Sequence, residues 1–320
     1  MRKKLVIDGN NLLHRAFWAF KKNNDHKDGN HYSVYVFLNI LKSYVRLFEP
    51  SEIIVCWDYR EENEINERKE LLGEYKGTRP DHDEVYEYMP FILKILKSLG
   101  IKQMTPKNFE ADDIMFWLCA KKYPNECILI TTDTDMYQLI VPELNENIFY
   151  NPKHRMQINE VFLRQKFLVN NGYEFIIKKA LRGDTADNIS GLKGIRQTRI
   201  NEIIECLGRE FDIEALKKSN ILKDEEIEIF ERNIKLMKLD EIYKHPNEIE
   251  WYEEQIIQVL EPNKDDFKAL IKKLELWNIY RKINEWFSAF QRKEDKSKSA
   301  KLNEYFDIFN AAQGLCNKEI

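Results

Sequence analysis

The sequence lacks several features that would assign it to a common class at once. No apolar run approaches the roughly 18 residues of a membrane-spanning helix, and the apolar stretch after the basic start is broken at Asp8, which excludes a secretion signal. The five cysteines show neither paired nor zinc-like spacing, so reduced thiols in a cytoplasmic protein are expected. The motifs GxxxxGKS/T, HExxH and GxSxG do not occur, and there is no internal repeat.

The chain is nevertheless long and apolar enough to bury a sizeable core. It has 320 residues, of which 43% are hydrophobic and 32% charged, which suits two domains or one large domain with an appendage. The net charge of −4 argues against a uniformly basic protein that coats DNA. It leaves open an enzyme whose acidic residues bind metal while basic residues cluster elsewhere.

Acidic residues stand where apolar, strand-like runs end or where helices begin. LVID ends at Asp8, IIVCWD ends at Asp58, and ILITTDTD contains Asp133 and Asp135. Five further acids lie in FEADDI and LRGDTADNI: Glu110, Asp112, Asp113, Asp184 and Asp187. Any one of them alone is as well explained as a helix cap or turn residue. Together they predict one Mg²⁺ or Mn²⁺ site at the carboxyl ends of parallel strands.

The apolar pattern predicts an α/β fold followed by a mainly helical part. Strands alternate with helices as far as about residue 150, which indicates a parallel sheet with helices on both faces. The predicted strands are 5–7, 53–57, 101–104, 127–131 and 148–150. The predicted helices are 34–48, 89–99, 111–122, 173–181, 198–207, 224–238 and 265–290. The polar segment 59–90 is either a solvated loop or a functional element.

Two basic segments suggest contact with a nucleic-acid backbone. GEYKGTRP places the aromatic Tyr75 beside Lys76 and near Arg79, an arrangement that can hold a phosphodiester and stack on a base. GLKGIRQTRI contains the turn glycines Gly191 and Gly194 and the basic residues Lys193, Arg196 and Arg199. A turn entering a helix suits a phosphate. Either segment alone is equally compatible with an exposed basic turn.

Taken together, these motifs resemble the 5′→3′ exonuclease and flap endonuclease family, in its bacteriophage and bacterial branch. The resemblance rests on IDGNNLLHRAF, CWD, RKELLGEYKGTRP, FEADDI, LITTDTDMYQLI and RGDTADNISGLKGI, in family order. It implies a PIN-like, twisted parallel sheet flanked by helices in residues 1–171, with an arch or clamp over about 59–90. It further implies a helical duplex-binding domain in 172–290, with a helix–three-turn–helix motif at about 180–206. Residues 291–320 would be a linker and an amphipathic tail.

The resemblance also implies roles for individual residues. Asp8, Asp58, Glu110 and Asp112 match a first metal cluster, and Asp133, Asp135 and Asp184 match a second, with Asp112 and Asp113 between them and Asp187 as an outer acid. Lys76, Arg79 and Asp112 match the catalytic set, and Arg15, Tyr75, Gly191, Lys193, Gly194, Arg196 and Arg199 join Lys76 and Arg79 as nucleic-acid contacts. Arg196 stands where the family hairpin has glycine, which puts a K⁺ ion there in question.

The implied activity is hydrolysis of DNA phosphodiesters near 5′ ends and branches with two Mg²⁺ ions, for which Mn²⁺ substitutes, in replication or repair. Alternatives are a nuclease that removes RNA primers from RNA–DNA hybrids and a non-catalytic protein that binds branched DNA. The sequence shows no polymerase segment after the nuclease motifs, so a free-standing, monomeric enzyme is expected, in a bacterial or phage-infected cytoplasm.

The tail offers a further partner. Leu302, Tyr305 and Phe306 are spaced i, i+3, i+4 after a basic linker, so they would share one face of a helix. Two interpretations stay open: a last helix on the protein's own core, or a peptide that binds a sliding clamp. Ser299 stands where such clamp-binding peptides usually carry glutamine.

Overall fold

The computed structural model describes residues 2–23, 31–58, 67–77, 83–209 and 211–291. Its strands are β1 Lys4–Asp8, β2 Glu52–Cys56, β3 Lys102–Met104, β4 Cys127–Ile130, β5 Ile148–Asn151, β6 Met156–Ile158, β7 Gly183–Asp184 and β8 Ile189–Ser190. Within the part of the chain so described, no helix is long and apolar enough to cross a membrane.

The strands β1 to β6 form one twisted-sheet layer in the order β3-β2-β1-β4-β5-β6. All neighbouring pairs are parallel except β5 and β6, which run antiparallel at one edge. The predicted α/β fold is therefore confirmed, with β6 as an additional strand. The strand order reverses around β1, which pairs with β2 on one side and β4 on the other. Such a reversal point opens a crevice at the carboxyl edge of a sheet.

Fifteen α-helices of the described residues surround this sheet and extend beyond it. They are α1 Gly9–Asn23, α2 Tyr32–Phe48, α3 Glu67–Leu71, α4 Asp83–Tyr86, α5 Met89–Ser98, α6 Ala111–Trp117, α7 Glu160–Phe167, α8 Gly172–Arg182, α9 Gln197–Leu207, α10 Ile213–Ser219, α11 Asp224–Met237, α12 Pro246–Ile256, α13 Lys264–Lys273, α14 Trp277–Tyr280 and α15 Ile283–Ala289.

The sheet separates two apolar clusters because successive side chains of a strand point to opposite faces. Leu5 and Ile7 pack on one side with α1, α2, α5 and the helices α13 to α15. Val6 packs on the other side with α6 and α12. A third cluster joins α8, α9, α10 and α11 around Ile200 and Phe230. The sheet is thus covered on both faces, as its nearly continuous apolar strands require.

Two helical predictions differ from the structure. Residues 265–290 form the three helices α13, α14 and α15 rather than one, because the chain turns at Glu275, which has φ of 53°. Residues 111–122 begin as α6 and continue as a π-helical turn, Leu118–Lys122. The other predicted strands and helices are present to within a few residues.

The apolar clusters do not follow the predicted domain division. Phe267, Ile271 and Trp286, in the segment predicted to bind duplex, pack in the same cluster as the first strand. Tyr252 and Ile256 pack on the opposite face of the sheet. The division at residue 171 stays a prediction, and the helices α13 to α15 belong to the core of the sheet.

Candidate active site

Three aspartates follow the three central strands of the sheet. Asp8 ends β1, Asp58 lies two residues beyond β2, and Asp133 lies three residues beyond β4. Because these strands are parallel neighbours, the three residues meet at one edge. Asp112, in the first turn of α6, is brought to the same edge because the backbone N–H of Ala111 donates to Asp58 at 2.6 Å. The predicted convergence is therefore seen for these four residues.

Asp8 is held in place by two hydrogen bonds. Its carboxylate accepts the backbone N–H of Asn11 at 2.9 Å and the hydroxyl of Thr131 at 2.8 Å. Gly9 follows directly, and a Cβ at this position would overlap the ring of Trp57. The close approach of α1 to β2 therefore requires glycine after the strand-ending aspartate.

Burial and the charges of neighbouring aspartates shift the pKa of Asp8 and that of Asp112. Burial, helped by the charges of Asp58 and Asp133 and opposed by its hydrogen bonds, raises the pKa of Asp8 to about 7. Burial also raises the pKa of Asp112 well above its ordinary value, and the charges of Asp133, Asp8 and Asp58 add to the effect. Like charges that face one another in a buried site disfavour ionisation. This site would therefore be stabilised by a cation.

A second pair of acids is bridged by a lysine. The ammonium of Lys179, on α8, contacts Asp135 and lies 2.8 Å from Asp184. Burial would raise the pKa of Asp184, but hydrogen bonding and charge from Lys179 outweigh it and lower the pKa. Asp135 and Asp184, two of the three residues predicted for a second metal cluster, thus already share one positive charge.

Glu110 lies at the centre of a buried ionic network. It accepts hydrogen bonds from Lys76 at 2.6 Å, Tyr75 at 3.0 Å and Arg68 at 3.1 Å. Burial opposes its ionisation, but Lys76 and Arg68 lower the pKa of Glu110 to about 2. Burial would likewise lower the pKa of Lys76, yet the charges of Glu110, Asp58 and Asp112 raise it. Both groups are therefore charged at neutral pH.

Lys76 is presented by an unusual backbone conformation. Its φ is 56°, in the left-handed region that few residues other than glycine adopt. Its N–H donates to the carbonyl of Asp187 at 3.2 Å. This contact joins the lysine to the segment after α8, and it places the buried Asp187 beside the network. The predicted position of Lys76 at the carboxylates is thus seen, whereas Arg79 lies outside the described residues.

Two predicted roles do not fit the structure. Asp113 was expected among the metal ligands, but its oxygens accept two hydrogen bonds of 2.7 Å from Arg68 and one of 3.0 Å from the N–H of Glu110. Tyr75 was expected to stack on a base, but its ring is buried among Ile177 and the other residues of the third apolar cluster. Asp113 is an ion-pair partner and Tyr75 a core residue.

The predicted nucleic-acid contacts of the 183–196 loop divide into exposed and packed residues. Lys193, Gly194 and Arg196 are exposed, and Gly194 has φ of 69°. Arg196 has an extended backbone with φ of −82°, so it avoids the strain that a positive φ would impose. Gly191 is required for packing, because a Cβ there would overlap the backbone of Arg182.

The remaining predicted contacts are engaged within the protein. Arg199 donates to Glu226 at 2.7 and 3.0 Å and to the carbonyl of Ile221 at 2.6 and 3.0 Å. It ties α9 to α11, which corrects its expected role as a phosphate contact. Arg15 donates to the hydroxyl of Tyr44 at 2.6 Å and stays half-buried on α1.

Sequence reasoning did not foresee that two cations, Arg68 and Lys179, organise the acidic residues. Arg68 is fully buried and also donates to the carbonyl of Leu236 at 2.9 Å. It stands in a charge-dense segment that looked solvated. The composition of this segment gives no indication that the arginine eight residues before Lys76 is buried. The side of α8 on which Lys179 lies could have been predicted, because the apolar periodicity of the helix fixes the position of each residue around its axis.

The fit of a divalent cation rests on the chemistry of these donors. Among the described residues, no three His, Cys, Asp or Glu side chains are arranged as a preformed metal site. The mutual repulsion of Asp8, Asp58, Asp112 and Asp133 nevertheless marks the place where positive charge is favoured. Carboxylate oxygens are the ligands that Mg²⁺ and Mn²⁺ prefer. The residues present therefore fit a hard divalent ion.

Comparison with known proteins agrees with this geometry. Residues 3–168 match the family model of the 5′-3′ exonuclease N-terminal resolvase-like domain. A 5′-3′ exonuclease of Aquifex aeolicus is 25% identical over 306 residues, covering 90% of this chain and 97% of that protein. DNA polymerase I of Lactococcus lactis is 28% identical over 243 residues, covering 70% of this chain.

The chain spans only about a quarter (27%) of the length of that polymerase. Among solved structures, a complex of the bacteriophage T5 flap endonuclease with DNA and metal ions superposes with a TM-score of 0.59 at 22% identity. The match covers 90% of this chain and all of that one, and it shows the shared fold. The chain belongs to the 5′-3′ exonuclease family, through its resolvase-like domain.

Proposed function

We propose that this protein is a structure-specific 5′ nuclease that hydrolyses DNA phosphodiesters near 5′ ends and branches. One observation carries the proposal: four aspartates meet at the carboxyl edge of the sheet, where burial and neighbouring charges raise the pKa of Asp8 and Asp112. Beside them lies Lys76, whose pKa is raised by the charge of Glu110. A negatively charged phosphodiester needs positive charge there. The relatives' names, a 5′-3′ exonuclease and a flap endonuclease, support the same reaction class.

Two divalent ions, Mg²⁺ with Mn²⁺ as substitute, would occupy this edge. Asp8, Asp58, Asp112 and Asp133 would be the ligands of one ion, and Asp135 and Asp184 would be ligands of the other. Glu110, expected in the first metal cluster, and Asp187, expected as an outer acid, stay proposed as further acids of this metal site. When bound, such ions lower the pKa of a water and stabilise charge on phosphate oxygens.

Lys76 would act on the substrate directly. Its ammonium is fixed by Glu110 at 2.6 Å and remains charged, so it can neutralise charge that develops on the phosphoryl oxygens. Arg68 holds Glu110 from the opposite side at 3.1 Å. The protein's own contribution is therefore a preoriented cation whose position is set by a buried carboxylate.

The exposed turn of Lys193, Gly194 and Arg196 would contact the duplex. The turn enters α9, and its two cations face solvent. Contacts of this kind bind the phosphate backbone without regard to sequence and weaken with salt. Substrate choice would thus depend on the shape of the DNA. The clamp-binding role of Leu302, Tyr305 and Phe306 stays a prediction, because these residues lie outside the described part of the chain.

A labelled-substrate experiment tests the proposal. A 5′-labelled DNA flap is incubated with the full chain in Mg²⁺, in Mn²⁺ and in EDTA, beside an RNA–DNA hybrid of the same sequence. We expect cleavage near the branch that depends on the divalent ion. Binding without cleavage in all three conditions would favour the non-catalytic alternative, and cleavage of the hybrid alone would favour primer removal.

A further inference from the structure

The helix α12 contacts the loop that leads into the candidate active site. This loop, residues 105–109, connects β3 to α6, and α6 begins with Glu110 and Asp112 in its first turns. Any shift of the loop would therefore move acids of the site. Phe109 is buried, and its ring lies 4.7 Å from that of His245, just before α12.

Side chains of α12 bind the backbone of this loop at both of its ends. Gln255 accepts the N–H of Thr105 at 2.8 Å, and both Gln255 and Trp251 donate to the carbonyl of Thr105 at 2.9 Å. Glu248 accepts the N–H of Lys107 at 2.7 Å and that of Asn108 at 3.2 Å. Side chains of a single helix thus provide hydrogen-bond partners for backbone groups that would otherwise need water.

Glu248 is the most informative of these residues because it is a buried carboxylate. Its exposed fraction is 2%, and burying such a group is costly unless it is well bonded. The ammonium of the nearby Lys107 lies instead over the ring of Trp251, 4.3 Å from its centre. Glu248 thus bonds the backbone of Lys107, which fixes the path of the chain.

We infer that Glu248 is a positioning residue for the acids at the start of α6, and that α12 is part of the frame of the active site. The inference rests on the proposed function, because it concerns the same carboxylates. Glu248 is not among the proposed metal ligands. It acts through the backbone of residues 107–109, which sets the positions of Glu110 and Asp112.

The expected size of the effect follows from the role of such supporting residues. Loss of a group that orients metal-binding side chains costs about 10- to 100-fold in metal affinity or activity. A displacement of about 1 Å at a reacting centre has a similar cost, about 100-fold. Removing Glu248 should therefore weaken divalent-ion binding as well as cleavage.

The test uses the full chain with three variants. Glu248→Ala removes the acceptor, and Glu248→Gln keeps one acceptor while placing an N–H₂ group opposite the second backbone N–H. Glu254→Ala is the matched control, since Glu254 is exposed on the same helix. Calorimetric titration with Ca²⁺ gives the Kd, single-turnover cleavage of the flap gives the rate and the half-saturating Mg²⁺ concentration, and thermal unfolding gives the Tm.

We expect the Ca²⁺ Kd and the half-saturating Mg²⁺ concentration to rise roughly 10-fold or more in Glu248→Ala, less in Glu248→Gln and not at all in Glu254→Ala. If Glu248→Ala does not fold, Glu248→Gln decides. Variants with a lower Tm but wild-type Ca²⁺ affinity and Mg²⁺ dependence would show a purely structural role and overturn the inference, leaving the proposed function intact. A wild-type protein that neither binds Ca²⁺ nor cleaves would overturn both.

Discussion

Replacing Arg68 by methionine should destabilise the protein far more than replacing an arginine whose ion pair is partly exposed. Methionine retains much of the apolar length of the side chain but removes the charge and every hydrogen bond. The partners are left behind: Asp113 keeps one backbone donor, and Glu110 keeps Lys76 and Tyr75. The variant therefore leaves the Asp113 carboxylate buried without a cation.

The magnitude follows from the burial of the pair. The side chains of Arg68 and Asp113 are 6% and 1% exposed. Breaking a buried ion pair by removing one partner costs about 3–5 kcal/mol. For a chain of this size that corresponds to a decrease in Tm of about 4–8 °C. The free energy of unfolding is obtained from urea denaturation followed by circular dichroism.

Arg199→Met provides the matched control. Arg199 pairs with Glu226 in similar geometry, but the two side chains are 35% and 24% exposed. A pair that remains in contact with water contributes about 0–1 kcal/mol. In addition, Arg68→Met combined with Asp113→Asn should lose less than the two single variants added together, because no uncompensated charge remains.

The reasoning would be refuted by an Arg68→Met variant that loses less than about 1 kcal/mol, or no more than Arg199→Met. Either result would mean that Asp113 is hydrated or protonated at little cost. Strict additivity of the double variant would refute the claim that the two residues are coupled.

Three further predictions concern the site itself. Asp135→Asn should strongly reduce cleavage while flap binding in Ca²⁺ largely survives, and a near-wild-type cleavage rate would remove Asp135 from the catalytic set. Lys76→Ala should lower the single-turnover rate about 100-fold or more with a smaller loss of binding, whereas equal losses would indicate a residue that only binds. Because the pKa of Glu110 is lowered to about 2, its ionic contribution to stability is present above the ordinary glutamate pKa and is lost as the pH falls toward 2. Acid titration of unfolding should therefore be shallower in Glu110→Gln, and an unchanged profile would contradict the ion-paired state.

The positions of the strand-ending aspartates were predictable because they depend on two local signals. Apolar runs mark buried strands, and the residue after each run must lie at the carboxyl edge of a parallel sheet. Asp8, Asp58 and Asp133 therefore converge as expected. Their positions along the chain were sufficient to predict the convergence, because it depends on the strand order and not on how side chains pack.

Burial of polar residues was not predictable in the same way. Tyr75 and Arg199 carry groups that suit a nucleic acid, and only the tertiary structure shows that both face the protein's own helices. Arg68 was overlooked for the converse reason, because a charge-dense segment usually indicates solvent. Residues 265–290 were read as one helix because α13, α14 and α15 all place apolar residues on the same core, so the periodicity survives the turn at Glu275.

The packing of α13 to α15 on the same face of the sheet as the first strand has a consequence for how the protein is made. Phe267, Ile271 and Trp286 complete the apolar cluster that begins at Leu5. At about 5–20 residues per second, a ribosome needs roughly 15–60 s to synthesise the intervening chain. During that time this face of the sheet is covered only in part, by α1, α2 and α5. The nascent protein thus exposes part of this apolar face until synthesis has passed Trp286, and exposed apolar surface of this kind favours aggregation or chaperone binding.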